Sequence, residues 1–223
     1  MTFIELYIKI KQIVQFHKEV IHIDHFFNLR AEKQEHIINA ALHNFGKNGY
    51  RKASTADIAS GAGIAKGMIN YYFGSKKNLY LYLVDYCGRI VIRGMEQGGN
   101  TGVTDFFDNM KQTIRTKLEL MKAHPAIFTF LTGVYYETAL EVAPEVKHFI
   151  AQSAKTRESL LYREIDVSRF KPDVNPKLID QFLVFTAEGF TNRIGPELNI
   201  EEIESFTNDL CTLLDLMKRH FYT

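Results

Sequence analysis

The sequence has little cysteine and proline and no tryptophan: two, five and none, respectively, in 223 residues. Cys87 and Cys211 do not form a pair with the spacing of a metal-binding or redox motif. This usage is typical of a reducing compartment, and it predicts a cytoplasmic protein in which both cysteines are buried apolar residues. We expect no metal and no cofactor.

Long apolar runs are also missing. No stretch approaches the roughly 20 consecutive apolar residues that a membrane-spanning helix needs. The first 29 residues have neither the cleavage site nor the polar start of a signal peptide, which argues against export. The sequence therefore predicts a protein with no membrane partner.

The common catalytic motifs are absent as well. The sequence contains no Gly-x-Ser-x-Gly elbow, no His-Glu-x-x-His and no Walker loop. Gly61 and Gly63 match part of a dinucleotide-binding fingerprint, but the third glycine is missing and no strand is predicted before them. We predict that the protein is not an enzyme and that it has no catalytic residues.

What the sequence does have is helical periodicity. From Val103 onward apolar residues recur at helical spacing, and strand-like alternation never persists. Pro125, Pro144 and Pro176 fall at predicted helix starts, where a missing N–H costs nothing. The pattern predicts an all-α fold, with helices near residues 30–48, 76–96, 103–122, 125–140, 144–166, 176–195 and 200–221.

Residues 54–79 predict two short helices around a glycine turn, followed by the start of a third. Ser54 precedes Asp57 by three residues, which favours a helix start at Thr55. Gly61 and Gly63 can adopt the positive φ that a helix end and a sharp turn require. This is the pattern of a helix-turn-helix, which places its second helix in the major groove of DNA.

The second helix is predicted over residues 65–73. Its apolar side is formed by Ile64, Ile69 and Phe73, which would face the core. The predicted outward residues are Lys66, Gly67, Met68, Asn70 and Tyr72, with Tyr71 at the flank.

Across roughly residues 35–83 the sequence resembles the DNA-binding domain of the TetR (tetracycline repressor) family of bacterial transcription regulators. Two positions depart from the family pattern: Ala65 stands where Ser or Thr is usual, and Asn70 where Tyr is usual. The matching segments are Thr-x-x-Ile-Ala from Thr55, Ala-Gly-Ile from Ala62, Lys-Gly-x-x-x-Tyr-Tyr-Phe from Lys66, and Ser-Lys-Lys-x-Leu from Ser75.

The resemblance implies an N-terminal three-helix helix-turn-helix DNA-binding domain over residues 30–80. It also implies a C-terminal helical effector-binding and dimerisation domain over residues 81–223, with residues 1–29 as an extension. The expected function is that of a ligand-responsive repressor that binds a near-palindromic double-stranded DNA operator as a homodimer. The predicted DNA-binding residues are Ser54, Thr55, Lys66, Gly67, Met68, Asn70, Tyr71, Tyr72, Lys76 and Lys77.

Two of these residues suit base reading. Lys66 can donate to guanine, and Asn70 can pair with adenine through two hydrogen bonds. The hydroxyl groups of Ser54, Thr55 and Tyr71, and the ammonium groups of Lys76 and Lys77, suit phosphates.

The distribution of charge supports this interpretation. Residues 30–80 hold eight Lys and Arg against three acidic residues, whereas residues 81–223 hold sixteen against twenty. The net charge of +1 therefore conceals a positive surplus on the predicted DNA-binding part.

The last two predicted helices carry apolar stripes at three-and-four spacing. Periodicity alone leaves open whether the stripes face their own domain or a second chain, and the family resemblance favours a four-helix dimer interface. The predicted interface residues are Phe182, Thr186, Gly189, Phe190, Phe206, Leu210, Leu213 and Met217.

The middle helices are rich in large apolar side chains, most of which we expect to be core. The resemblance implies that some of them line a site for a small, largely apolar effector. The predicted effector residues are Phe107, Met110, Met121, Phe128, Leu131, Tyr135, Tyr162 and Phe185.

Residues 1–29 are compatible with an amphipathic helix, which leaves a protein-interaction or membrane-surface role open. His22 and His25 have a spacing that two metal ligands could use, but a solvated pair is the simpler interpretation. The remaining alternative is an all-α small-molecule-binding protein or enzyme without DNA binding. It would explain the aromatic helices but neither the motif nor the charge distribution.

Overall fold

The computed structural model describes residues 23–98, 102–162, 164–195 and 199–223. The predicted helical stripe of residues 1–22, including His22, lies outside this part. The described helices are α1 (Ile23–Phe27), α2 (Ala31–Lys52), α3 (Thr55–Gly61), α4 (Met68–Phe73), α5 (Lys76–Gln97), α6 (Phe106–Ala123), α7 (Pro125–Tyr135), α8 (Ala143–Leu161), α9 (Pro176–Ile194) and α10 (Ile200–Phe221).

The predicted all-α fold is confirmed. Within the described ranges the only β-type pairing is a single antiparallel bridge between Phe170 and Tyr222. In the same part of the chain, every helix is too short or too polar to cross a membrane.

The turn between α3 and α4 follows from local hydrogen bonding. The hydroxyl of Ser54 accepts hydrogen bonds from the amides of Ala56 and Asp57 and so caps α3. At the other end the amide of Ile64 donates to the carbonyl of Ala59 over 3.0 Å, with Gly63 between them at φ 66°. This is a glycine C-cap, which closes the helix and reverses the chain. Gly61, by contrast, is the last helical residue of α3.

One aromatic core joins the helix-turn-helix to the rest of the chain. α7 packs along α2, and the ring centroid of Phe130 lies 6.3 Å from that of Phe45 and 5.4 Å from that of Tyr80. A Cβ atom on Gly46 would lie 3.3 Å from the side chain of Thr129, so the glycine permits the close approach of the two helices. The buried cluster runs across residues 80 and 81 without a break.

A second core lies between α6 and α10. The rings of Phe106 and Phe107 pack against Phe170, and the hydroxyl of Tyr222 accepts a hydrogen bond from the amide of Phe106. Above this cluster the buried carboxylate of Asp105 pairs with Arg169 and with Lys218. These contacts fix the C-terminal end of α10 to the start of α6.

Several helix bounds differ from those predicted. α2 extends to Lys52, but it is kinked at Gly49, whose backbone is non-helical (φ 67°, ψ 176°), close to where the sequence predicts the helix to end. α7 ends at Tyr135 rather than near residue 140, because the carboxylate of Glu137 accepts hydrogen bonds from the amides of Thr138 and Ala139 and holds them in a turn. The predicted helix over 144–166 ends at Leu161.

The glycine at the α3–α4 turn gives a stability prediction. A Cβ on Gly63 would meet no atom within 4 Å, so the cost of a side chain there is that of the positive φ alone. We expect Gly63→Ala to lower the free energy of unfolding by about 1 kcal/mol, and Gly63→Asn to cost less. Gly67→Ala is the control, because Gly67 has equal space and a negative φ. Equal denaturant midpoints for Gly63→Ala and Gly67→Ala would contradict this account.

Candidate nucleic-acid interface

The outward surface of the helix-turn-helix is formed by α4 and the turn before it. Ile69 and Phe73 are fully buried, and they fix α4 on the core. Lys66, Gly67 and Asn70 are exposed on the other side, with Met68 half-buried beside them. Tyr71 is 46% exposed and extends this surface. Five of the predicted DNA-binding residues are therefore brought together on one face.

Tyr72 is not part of that face. Its side chain is only 3% exposed, and its ring lies against Phe26, with the centroids 6.3 Å apart. The predicted outward position of Tyr72 was wrong, because α1 covers this side of α4 and turns it into core. Nothing in the sequence pattern of residues 54–79 predicts that α1 covers this side of α4.

α4 is shorter than predicted at its start. Residues 65–67 form a turn, closed by a hydrogen bond from the amide of Met68 to the carbonyl of Ala65, and the helix begins at Met68. Gly67 occupies the N-cap position and offers no side-chain cap. Lys66 and Gly67 consequently project from a turn at the tip of the helix rather than from its side.

The predicted phosphate-binding hydroxyls lie at the start of α3. Ser54 and Thr55 are half-buried, and the oxygen of Ser54 is occupied as an acceptor by two backbone amides. Its O–H can still donate outward to an anionic oxygen. The amide of Ser54 in turn donates to the side chain of Asn44, which holds the cap in place.

Lys76 and Lys77 have partners inside the chain. The ammonium of Lys76 donates to the carbonyls of Arg51 and Ala53, both at 3.3 Å, and lies 4.6 Å from the centre of the Tyr50 ring. The ammonium of Lys77 forms an ion pair with Glu145 at 2.8 Å. Both groups hold α5 to its neighbours, so a phosphate would have to share each ammonium with these internal partners.

The carboxylates of Glu137, Glu141 and Glu145 lie beside the helix-turn-helix, next to Lys76 and Lys77. Glu137 accepts a hydrogen bond from the backbone amide of Tyr50 at 2.9 Å, at the kink of α2. Burial, together with a hydrogen bond to Glu141, raises the pKa of Tyr50 to about 12. The segment after α7 is therefore fastened to the end of α2 by polar contacts as well as by packing.

Six of the eight predicted dimer residues line a groove of about 420 Å³ between α9 and α10, whereas Phe182 and Met217 lie outside it. Phe190 and Phe206 stack across it, with ring centroids 3.9 Å apart and planes 2° apart. Phe190 and Leu210 are largely buried in their own chain, whereas Phe182 and Leu213 are 62% and 39% exposed. The residues that line the groove are Thr186, Gly189, Phe190, Arg193, Phe206, Asp209, Leu210 and Leu213.

The predicted effector residues are not gathered in one place. Phe107, Met110 and Tyr162 belong to the cluster between α6 and α10, whereas Met121, Phe128 and Leu131 pack in the larger core around α7. Tyr135 and Phe185 are exposed. The hydroxyl of Tyr135 donates to Glu188 of α9 over 2.6 Å, and this hydrogen bond, followed by burial, raises the pKa of Tyr135 to about 12.

A helix whose inner side is fixed by buried residues, presented by a capped helix and a glycine turn, defines a helix-turn-helix DNA-binding protein. Residues 37–83 match the sequence model of a family described as bacterial regulatory proteins, tetR family. Residues 37–83 therefore carry a DNA-binding domain of the TetR family, whose members are transcriptional regulators and not enzymes.

Similar proteins extend the comparison to most of the chain. The HTH-type transcriptional dual regulator CecR of Shigella flexneri is 44% identical over 63 residues, which span 26% of this chain and only 27% of CecR. The HTH-type transcriptional repressor DhaR of Mycobacterium sp. (strain GP1) is 21% identical over 196 residues, 79% of this chain and 89% of DhaR. The crystal structure of FadR from Bacillus subtilis in complex with stearoyl-CoA shares the fold, with a TM-score of 0.55 and 18% identity over 81% of this chain and 96% of that one.

The internal partners of Lys76 lead to a second stability prediction. Lys76→Gln removes a cation over an aromatic ring and two hydrogen bonds to the end of α2, so we expect the free energy of unfolding to fall by about 1–2 kcal/mol. Lys47→Gln, at an exposed position on α2, is the matched control and should leave it unchanged. Denaturant unfolding measures both. If Lys76→Gln keeps full stability but weakens binding to every DNA sequence alike, its role is phosphate contact instead.

Proposed function

We propose that the protein is a cytoplasmic, ligand-responsive repressor that binds a near-palindromic DNA operator as a homodimer. The observation that carries the proposal is the exposed surface of α4 and its preceding turn, where Lys66, Gly67, Asn70 and Tyr71 project from a rigid support. DhaR is named as a transcriptional repressor, which supports repression rather than activation here.

The exposed residues divide into base readers and phosphate contacts. Lys66 at the helix tip donates to guanine, and the amide of Asn70 pairs with adenine. Gly67 lets the backbone approach the bases, since no side chain stands between it and solvent. Ser54, Thr55 and Tyr71 donate hydroxyl hydrogen bonds to phosphates on either side, which fixes the register without reading sequence.

Dimerisation uses the outer faces of α9 and α10. Leu178, Phe182 and Phe185 follow one another at helical spacing on α9, and all three are more than half exposed. Clustered exposed apolar side chains of this kind mark an interaction surface. A Cβ on Gly189, further along the same face, would touch nothing within 4 Å, so a second backbone can approach there. A two-fold pair of these helices makes a four-helix interface.

The effector is proposed to be a small, largely apolar molecule bound among α6, α7, α8 and α9. The FadR of Bacillus subtilis holds stearoyl-CoA in the same fold, which supports an apolar ligand here. Binding must act through the contacts that join these helices to the helix-turn-helix, namely the packing of α7 on α2 and the hydrogen bond from Tyr50 to Glu137. An effector releases DNA only in proportion to its preference for the state that fits the operator poorly.

Selection of bound fragments from a random DNA library tests the whole proposal. A homodimer with two copies of α4 should enrich a palindromic consensus, with half-site centres one helical turn, roughly 34 Å, apart or a multiple of that distance. Addition of stearoyl-CoA as a first probe should lower the affinity for that consensus. Enrichment without symmetry would contradict the homodimer, and no enrichment at all would contradict sequence-specific binding.

Base reading by Asn70 has a direct test. Asn70→Ala removes two hydrogen bonds to adenine, so we expect a loss of about 1–3 kcal/mol in operator binding and a relaxed preference at one position of each half-site. Asn39→Ala, at an exposed position on α2, is the matched control and should bind as the wild type does. Fluorescence anisotropy with operators substituted at each position measures the change. A uniform loss on every operator would assign Asn70 to the phosphate backbone instead.

The proposed interface is tested by placing a charge in it. Phe182→Glu puts an unpaired carboxylate into the apolar contact, and we expect the protein to become monomeric and to lose at least tenfold in operator affinity. Leu140→Glu removes an equally apolar and 86% exposed side chain from another surface, and it should remain a dimer. Sedimentation velocity gives the oligomeric state. A wild type that sediments as a monomer would contradict the interface.

A further inference from the structure

The short helix α1 lies outside the residues that match the family, which begin at residue 37, yet it packs directly on the DNA-reading helix. Phe26 is completely buried, and its ring centroid lies 4.9 Å from that of Phe73 in α4. Tyr72 of α4 and Tyr82 of α5 close the same aromatic pocket at 6.3 and 5.7 Å. α1 therefore fills a space between α4 and α5 that the helix-turn-helix leaves open.

The DNA-reading helix needs such support. α4 has six residues and no side-chain N-cap, and a helix of this length has no stability of its own in water. Its orientation is set by the side chains that it buries. Two of these, Tyr72 and Phe73, are in contact with Phe26.

α1 is itself anchored to α2. The side-chain amide of Gln34 donates to the carbonyl of Phe27 at 3.1 Å and to that of Leu29 at 2.8 Å. These bonds satisfy carbonyls at the C-terminal end of α1 and fix the turn that leads into α2. The segment is thus held from one side by Gln34 and from the other by the buried ring of Phe26.

At the exposed edge of this contact, His25 stacks on Tyr71. The ring centroids are 5.1 Å apart and the planes differ by 27°. Tyr71, at the flank of α4, is 46% exposed, and its hydroxyl is the proposed phosphate donor. A stacked neighbour restricts its ring to one orientation, and a pre-oriented donor loses less freedom when it binds.

We propose that α1 is part of the DNA reader, and that His25 is a positioning residue which holds Tyr71 in its DNA-binding orientation. This inference rests on the proposed function, since it requires Tyr71 to contact DNA. α1, which precedes the family-matched residues, would then contribute to operator affinity. It would do so through His25, which need not touch DNA itself.

A double-mutant cycle on the full-length protein tests the coupling. The variants are His25→Ala, Tyr71→Ala and the pair together, measured on the operator selected from the random library. His25→Ala should weaken operator binding about 2- to 10-fold, which is the cost of ordering one released side chain on binding. Tyr71→Ala should weaken it at least as much, because it also removes the hydrogen bond to DNA. The double variant should bind no more weakly than Tyr71→Ala alone, because His25 acts only through Tyr71.

Two further variants distinguish positioning from other roles. His25→Phe keeps a stacked ring without the imidazole nitrogens and should restore binding, whereas a direct phosphate contact by His25 would leave it as weak as His25→Ala. Asn28→Ala, exposed on the same segment, is the control and should bind as the wild type does. Thermal unfolding should show that His25→Ala is still folded at the assay temperature, with only the small loss that one exposed stacked pair accounts for.

The outcomes separate the two proposals. If Tyr71→Ala binds the operator normally, its DNA contact in the proposed function is wrong. If Tyr71→Ala binds weakly while His25→Ala binds normally, or if the two losses multiply in the double variant, the positioning role of His25 is wrong and the DNA contact of Tyr71 stands.

Discussion

The packing of α7 against α2 is the contact on which the arrangement of this regulator depends. α2 supports the helix-turn-helix from within, and α7 belongs to the helices that follow it, so this one joint connects DNA reading to the rest of the chain. It is buried and aromatic, built from Phe45, Tyr80 and Phe130, and Gly46 lets the helices approach closely. Sliding α7 along α2 would expose these rings, at a cost on the order of 1.5–3 kcal/mol for each fully exposed side chain. The two parts therefore respond as one packed unit, and a division of the chain at residue 80 does not divide its core.

The polar contacts at the C-terminal end of α7 connect this joint to α9 as well as to α2. Within three residues the chain contacts α9 through Tyr135 and α2 through Glu137. α9 carries exposed apolar residues of the proposed dimer face, whereas the amide of Tyr50 that Glu137 holds lies at the kink of α2, next to the cap of α3. A rearrangement around α9 thus reaches the helix-turn-helix along a short, physically continuous route. The two hydrogen bonds are discrete and can be made or broken, which is what a two-state element requires.

Much of this architecture could be predicted from the sequence because its signals are local. The N-cap at Ser54, the glycine turn at Gly63 and the proline starts of three helices each depend on residues within one or two turns. The departures at Tyr72 and Lys76 concern contacts between distant segments. Tyr72 was placed outward because nothing near it in sequence announces Phe26, which covers it from 46 residues away. Lys76 has the positive charge of a phosphate ligand, yet the kink in α2 places the ring of Tyr50 beneath its ammonium.

The rigidity of the α2–α7 joint also bears on which operators the proposed dimer can tolerate. Adding one base pair at the centre of a palindrome moves the half-sites apart by about 3.4 Å and rotates one relative to the other by about 34°, since B-DNA turns once in 10–10.5 base pairs. A reader on a flexible tether would absorb this change. Here the packing of Phe45, Tyr80 and Phe130, together with the hydrogen bond from Tyr135 to Glu188 of α9, connects the reader to the proposed dimer helices and resists independent twisting. Spacer length, as well as base identity, then determines operator choice in the proposed dimer, because the packed core fixes the separation and orientation of the two DNA-reading helices.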